Sequence, residues 1–169
     1  MLSKKIEEAL NDQLNKEMYS SYLYLSMAAY FENKNLTGMS SWMKLQSQEE
    51  SIHAMKFYDY ILKLGGKVKL GKLDAPENEW KSPKEVFENS LKHEQFISES
   101  IHKLFDLATQ ENHHPTKSFL QWFIDEQVEE ENSVQQVVEN FSLIGDDKAA
   151  LFMLDRELGS RTNSPSESA

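Results

Sequence analysis

The stretch "GGKVKLGKLDAPENEWKSP" (residues 65–83) holds three of the six glycines and two of the four prolines in this 169-residue chain. It reads as a connection with no secondary structure of its own. A loop of that length is unusual in a compact domain unless it has a distance to cover. About 17 residues reach roughly 55 Å when extended, and a helix of about 26 residues is roughly 39 Å long. The connection can therefore run the full length of a helical bundle and leave the helices on either side of it parallel.

The other breakers cluster too, at "NKNLTG" (33–38), "NHHP" (112–115) and "IGDD" (144–147). Between them lie four long segments, at about 5–33, 39–64, 84–112 and 116–143, each with apolar residues at a 3.6-residue period. Short links make their flanking helices antiparallel neighbours. The expected fold is all-α: a four-helix bundle with one long crossover between helices two and three, plus a short fifth C-terminal helix. That fifth helix carries Leu151, Leu154 and Leu158 on one face, with Asp146 or Asp147 as its N-cap. Residues 1–160 form one domain in this reading, and 161–169 a flexible tail.

Composition narrows the function. The net charge of −10 argues against binding nucleic acid. With no cysteine, thiolate metal sites, iron–sulfur clusters and disulfides are excluded. No segment approaches the roughly 18 apolar residues of a membrane span, and the N-terminal stretch lacks a signal-peptide core. No membrane association and a cytoplasmic location are expected.

Each long helix interrupts its apolar stripe. Helix one reads Leu10, Leu14, Glu17, Ser21, Tyr24, Ala28, Phe31, and helix two Met43, Gln46, Glu50, His53, Phe57, Tyr60, Leu64. Helix three reads Phe87, Leu91, Glu94, Ser98, Ile101, Phe105, Ala108, and helix four Leu120, Phe123, Gln127, Glu130, Val134, Val137, Phe141. An unpaired buried carboxylate costs several kcal/mol or takes up a proton. No Lys or Arg occupies these stripes, so a multivalent cation is the economical partner. An internal repeat supports a paired site: a shift of 77 maps Glu17 onto Glu94, Glu50 onto Gln127, His53 onto Glu130 and Glu49 onto Glu126. Glu50 and His53, three apart, address one ion from one helical face.

The stretches "NKEMYSSYLY", "QSQEESIHAMKFYDYI", "KHEQFI" and "FLQWFIDEQVEEE" occur in an order and spacing that resemble a bacterial non-haem ferritin, over nearly the whole chain. The resemblance implies a di-iron ferroxidase centre, with Glu17, Glu50 and His53 holding one iron and Glu50, Glu94 and Glu130 the other. Gln127 stands beside the second iron, and Tyr24 supports the site by bonding a carboxylate. It implies a third iron position lined by Glu49, Glu126, Glu129 and Glu130; Asp125 and Glu131 in the same run read as solvated charges. It also implies a hollow homo-oligomeric shell of 24 subunits closed partly by the fifth helix. Dioxygen or hydrogen peroxide would oxidise Fe(II), and Fe(III) would be stored as a hydrated ferric oxide. No haem is expected, because Ser51 follows Glu50 where bacterioferritins place a methionine.

Two rivals differ in class. A non-storing di-iron oxidoreductase or peroxidase of the rubrerythrin type usually adds a Cys-ligated iron domain, and this chain has no Cys. A metal-free helical interaction module would bind no cation tightly. The bland readings of the remaining residues make Trp122 and Met18, Met27, Met39, Met43 and Met55 packing residues. They leave His93, His102, His113 and His114 at the surface.

Overall fold

The computed structural model describes residues 2–162. Its elements are α1 (Lys4–Asn33), α2 (Thr37–Lys63), α3 (Pro83–Gln110), α4 (His114–Ile144) and α5 (Lys148–Leu158), with no strand among the described residues. This is the expected four-helix bundle with a short fifth helix. Of the tail expected from residue 161, positions 163–169 lie outside the described residues. Arg161 is held against α2 by its side chain.

Local chemistry starts the helices. Ser3 caps α1 by accepting from Ile6 N at 3.3 Å, and Ser82 caps α3 by accepting from Glu85 N at 3.2 Å, with Pro83 in the first turn. Of the two candidates for α5, Asp147 is the cap, accepting from Ala149 N and Ala150 N at 2.8 and 3.1 Å.

The two hairpins turn alike. Asn35 ends the α1 turn at φ 56° and Asn112 the α3 turn at φ 52°, and both are non-glycine residues in the left-handed region that asparagine tolerates. They are 77 positions apart, the interval that relates the site residues. The sequence repeat is thus a structural one, carried down to the backbone of the turns.

The crossover is strapped along α1. Asn11 Nδ2 donates to Lys67 O at 2.9 Å and Asn15 Nδ2 to Lys69 O at 2.9 Å. Their Oδ1 atoms accept in return from Lys69 N and Gly71 N at 2.5 and 2.7 Å. Further on, Ser26 Oγ donates to Glu77 O at 2.6 Å, and the Trp80 ring meets Tyr30 edge-on at 5.4 Å. Contacts from residue 11 to residue 30 carry the loop along most of α1, so α3 starts where α2 started and runs parallel to it.

The core has two apolar parts. One gathers Tyr24, Phe31, Met39, Trp42, Phe87, Val134 and Phe141. The other gathers Leu10, Leu14, Phe57, Ile61, Ile101, Leu120 and Phe123. Helix α5 adds Leu154 and Leu158 to the first. Its seat is tight: a Cβ on Gly38 would lie 1.7 Å from the Asp155 carbonyl oxygen. Asp155 Oδ1 accepts from Met39 N at 2.8 Å, capping α2, whose N-cap residue Leu36 supplies no side-chain bond.

Alanine is a better helix former than glycine by about 1 kcal/mol, so Gly38→Ala in α2 would ordinarily stabilise. Here it should lower the thermal unfolding midpoint, followed by circular dichroism, because it drives α5 off its seat. A raised midpoint would mean that α5 does not pack on Gly38.

Candidate metal centre

Between the two apolar clusters lies a polar layer supplied by all four long helices. It comprises Glu17 from α1, Glu50 and His53 from α2, Glu94 from α3, and Gln127 and Glu130 from α4, none more than 5% exposed. The apolar turns above and below each residue bury it whatever its own preference for water.

Glu17, Glu50 and His53 each offer a ligand atom within 4.8 Å of the others, which is the set expected for the first ion. Glu17 Oε1 accepts from Gln13 Nε2 at 2.8 Å, but its Oε2 and both oxygens of Glu50 are buried with no hydrogen-bond partner, the nearest approach to Glu50 being His53 Nδ1 at 3.4 Å from Oε2. Buried anionic oxygens of this kind are unfavourable until a cation joins them. The donor set of carboxylates plus one imidazole suits a first-row divalent ion, and the oxygen-rich part suits its trivalent form. The residues present fit a metal.

The second group is arranged differently from the expectation. Glu130 converges with His53 and Glu126, again with ligand atoms within 4.8 Å, so His53 faces both groups. Glu94 adjoins them through its charge, which acts on Glu50 and is acted on by Glu130. Its own oxygens are engaged: Oε1 accepts the Tyr24 hydroxyl, and Oε2 accepts Gln127 Nε2 at 3.2 Å. Tyr24 therefore bonds a carboxylate, that of Glu94 on α3. Ser90 Oγ sits 2.9 Å from the same hydroxyl. Glu130 Oε2 accepts from Gln46 Nε2 at 2.9 Å.

The electrostatics follow from burial. Desolvation, then the charge of Glu130, pushes Glu94 up to about 8. Desolvation, opposed by His53 and reinforced by Glu49, pushes Glu130 up to about 7. Glu50 is held well above the usual carboxylate range by burial and then by Glu94. Burial and the same two carboxylates raise Tyr24, which keeps its proton and stays a donor.

The residues expected at a third ion are only partly brought together. Glu126 is half-buried beside Glu130, whereas Glu129 is exposed. Glu49 is buried, and its Oε2 lies 2.6 Å from Arg161 Nη2. Glu131, expected as a solvated charge, instead accepts from Ser98 Oγ, which in turn accepts Gln127 Nε2 at 3.2 Å. It therefore helps to aim the Gln127 amide, through a contact between α3 and α4 that a reading of one helix at a time misses. Asp125 is exposed, as expected.

Other expectations need correction. The His93 ring is packed near Tyr19 and Tyr24, lies 2.7 Å from Ser20 Oγ through Nε2, and is pushed down to about 4 by burial. His113 caps α4, its Nδ1 accepting from Thr116 N at 3.3 Å. Met55 is exposed, while Met27, Met39 and Met43 pack in the core. Trp122 is half-buried, edge-on to His53 at 5.4 Å, with Lys56 Nζ 4.3 Å from its ring centre.

Residues 7–144 match the family model described as Ferritin-like domain. The chain belongs to the ferritin family. It is 44% identical over 161 residues to a bacterial non-heme ferritin of Bacteroides fragilis, covering 95% of this chain and all of that one. It is 39% identical over 162 residues to a bacterial non-heme ferritin of Staphylococcus aureus, covering 96% and 98%. Among solved structures, an open-pore ferritin from the archaeon Archaeoglobus fulgidus superposes with a TM-score of 0.94 at 50% identity, covering 95% and 98%. A closed form engineered from the ferritin of that archaeon superposes at 0.95 with 49% identity, covering 97% and 100%. The curated relatives match the non-haem branch that the sequence resembles.

Metal binding requires deprotonated carboxylates, so it should release protons wherever Glu94 and Glu130 start protonated. Zn(II) titration of chelator-stripped protein at pH 6, in buffers of different ionisation enthalpy, should release about two protons or more per subunit, Glu50 being raised as well, and clearly fewer at pH 9. Equal release at both values would contradict the raised carboxylates. The stability linkage has the same origin. Folded carboxylates raised to about 8 and about 7 bind more protons than the unfolded chain above pH 4.5. Stripped protein should therefore lose stability as pH rises from about 4.5 to about 8 and level off above, and metal-loaded protein should lose less.

Proposed function

We propose that this ferritin stores iron, oxidising Fe(II) at a paired centre and retaining Fe(III) as a hydrated ferric oxide inside a shell of many copies. The observation that supports this best is the layer of buried carboxylates, with Glu17 Oε2 and both Glu50 oxygens lacking hydrogen-bond partners. Iron is the substrate. Glu17, Glu50 and His53 take one ion; Glu50, Glu94 and Glu130 take the second, with Glu50 between them. Gln127 lies beside it, and Tyr24 donates to Glu94 and orients it. Glu49, Glu126, Glu129 and Glu130 line a third position.

The chain's task is to hold two ions in fixed geometry, shielded from water by the apolar clusters on either side. Imidazole from His53 helps retain Fe(II), and hard carboxylate oxygens favour Fe(III). Each Fe(II) gives up one electron, and dioxygen or hydrogen peroxide from solution would accept them. We take residues 1–160 as the unit that does this and a 24-subunit shell as its assembly. Exposed Phe152 and Met153 on α5 support burial against other copies. The Ser51 hydroxyl is engaged 2.9 Å from Ser21 Oγ, which supports a centre built without haem.

The reading is tested by anaerobic Fe(II) titration with size-exclusion chromatography, followed by oxygen. Tight uptake of two ions per subunit, ferric absorbance and a large soluble iron-bearing particle are expected. A small particle that oxidises iron without retaining it would instead support a non-storing oxidoreductase.

Glu50→Ala should abolish the fast phase of Fe(II) oxidation in stopped flow more completely than Glu17→Ala or Glu94→Ala, since only Glu50 serves both ions. An assembled variant with the wild-type rate would contradict the assignment. Glu129→Ala should leave the first phase nearly intact and alter the behaviour at three Fe(II) per subunit. Its side chain stands about 100° round the helix from Glu130. Loss of the first phase would move Glu129 into the paired centre, and unchanged traces at both loadings would remove it from the third position.

A further inference from the structure

Helix α5 does more than pack its leucines. With Asp155 and Gly38 locking it to the start of α2, the chain leaves α5 at Gly159, and Arg161 N bonds Leu158 O at 3.3 Å. From there the Arg161 side chain lies along one face of α2. Its guanidinium carbon is 4.6 Å from the centre of the Trp42 ring. Nη1 donates to Gln46 Oε1, and Nη2 donates to Glu49 Oε2 at 2.6 Å. Trp42, Gln46 and Glu49 follow the helical spacing of one face, and Glu49 is only 2% exposed. Gln46 continues the chain of contacts to Glu130 through its other amide atom.

We propose that Arg161 is a built-in cation that competes with metal for Glu49 and so sets how strongly the third position is filled. This deepens the metal-centre reading above and rests on it. A guanidinium and a divalent ion are alternative counter-charges for one buried carboxylate. Holding both close to Glu49 places two positive charges together in a poorly solvated region, which is strongly repulsive. A metal that takes Glu49 must therefore displace Arg161 from Trp42 and Gln46. The first ion uses Glu17, Glu50 and His53, none of which Arg161 touches, so it binds without this competition; the second also uses Glu130, which Arg161 reaches only through Gln46 and through its charge.

The test is calorimetric titration of the full, assembled, chelator-stripped protein with Zn(II), which carries no redox chemistry. Wild type should bind two ions tightly and a third more weakly. Arg161→Gln, which keeps hydrogen-bonding capacity but removes the charge, should tighten the third by about tenfold or more, a loss of repulsion worth at least about 1.4 kcal/mol. It should leave the first unchanged and shift the second far less than the third, since Arg161 reaches Glu130 only through Gln46. Arg161→Lys should keep the third weak. An unchanged or weaker third site in Arg161→Gln would overturn the proposal, the weaker case making Arg161 an organiser of Glu49 rather than its competitor.

A second measurement needs no Arg161 variant. In wild type, the third Zn(II) equivalent should shift tryptophan emission as the guanidinium leaves the Trp42 ring, and Trp42→Phe should lack that shift. Third-ion binding with no emission change in wild type overturns the displacement. Failure to bind even the first two ions would instead overturn the metal-centre reading, so the two failures are distinguishable.

Discussion

The structure depends on a layer of carboxylates that cannot be solvated. Glu17, Glu50, Glu94 and Glu130 cross the middle of the bundle with apolar clusters on both sides, and the bundle closes over them because those clusters are large. Such a layer weakens the fold through desolvation and mutual repulsion. The protein offsets part of this by protonation and part by donors placed around the layer. Tyr24, Gln127, Gln46 and Gln13 each give a hydrogen bond to one of its carboxylates. The rest is left for a cation, and affinity for metal follows from the same burial that makes the layer unfavourable.

The two halves of the molecule are related but not equal. Turns at Asn35 and Asn112 repeat in backbone conformation, and Glu17 and Glu94 repeat as the carboxylates of the first helix in each hairpin. In the second helices Glu50 is matched by Gln127 and His53 by Glu130. That difference makes the two halves of the layer chemically distinct, with one imidazole, His53, that offers a ligand atom to both groups.

The end of the chain is tied to the centre through α2. Asp155 caps α2 from 116 residues away, and Arg161 lies on the face that presents Gln46 and Glu49. Helix α5 also exposes Phe152 and Met153. The segment from Asp155 to Arg161 therefore bonds α2 both at its start and at Glu49, one residue before Glu50.

Most of the bundle and the inner donors were legible in the sequence by itself, because periodicity reports burial and burial makes a misplaced glutamate conspicuous. The crossover length set the parallel arrangement of α2 and α3, and the 77-residue repeat located Glu17, Glu50, His53, Glu94, Gln127 and Glu130 at one depth. Contacts between helices were not legible, since they depend on rotation and side-chain direction that a one-dimensional pattern does not hold. The tertiary structure alone decided that Tyr24 bonds Glu94, that Glu131 reaches Gln127 through Ser98, and that His93 is packed among aromatic rings. It also decided that Asn11 and Asn15 strap the crossover and that Arg161 pairs with Glu49. Each of these joins residues from different elements, often more than 50 positions apart, and only packing chooses such partners.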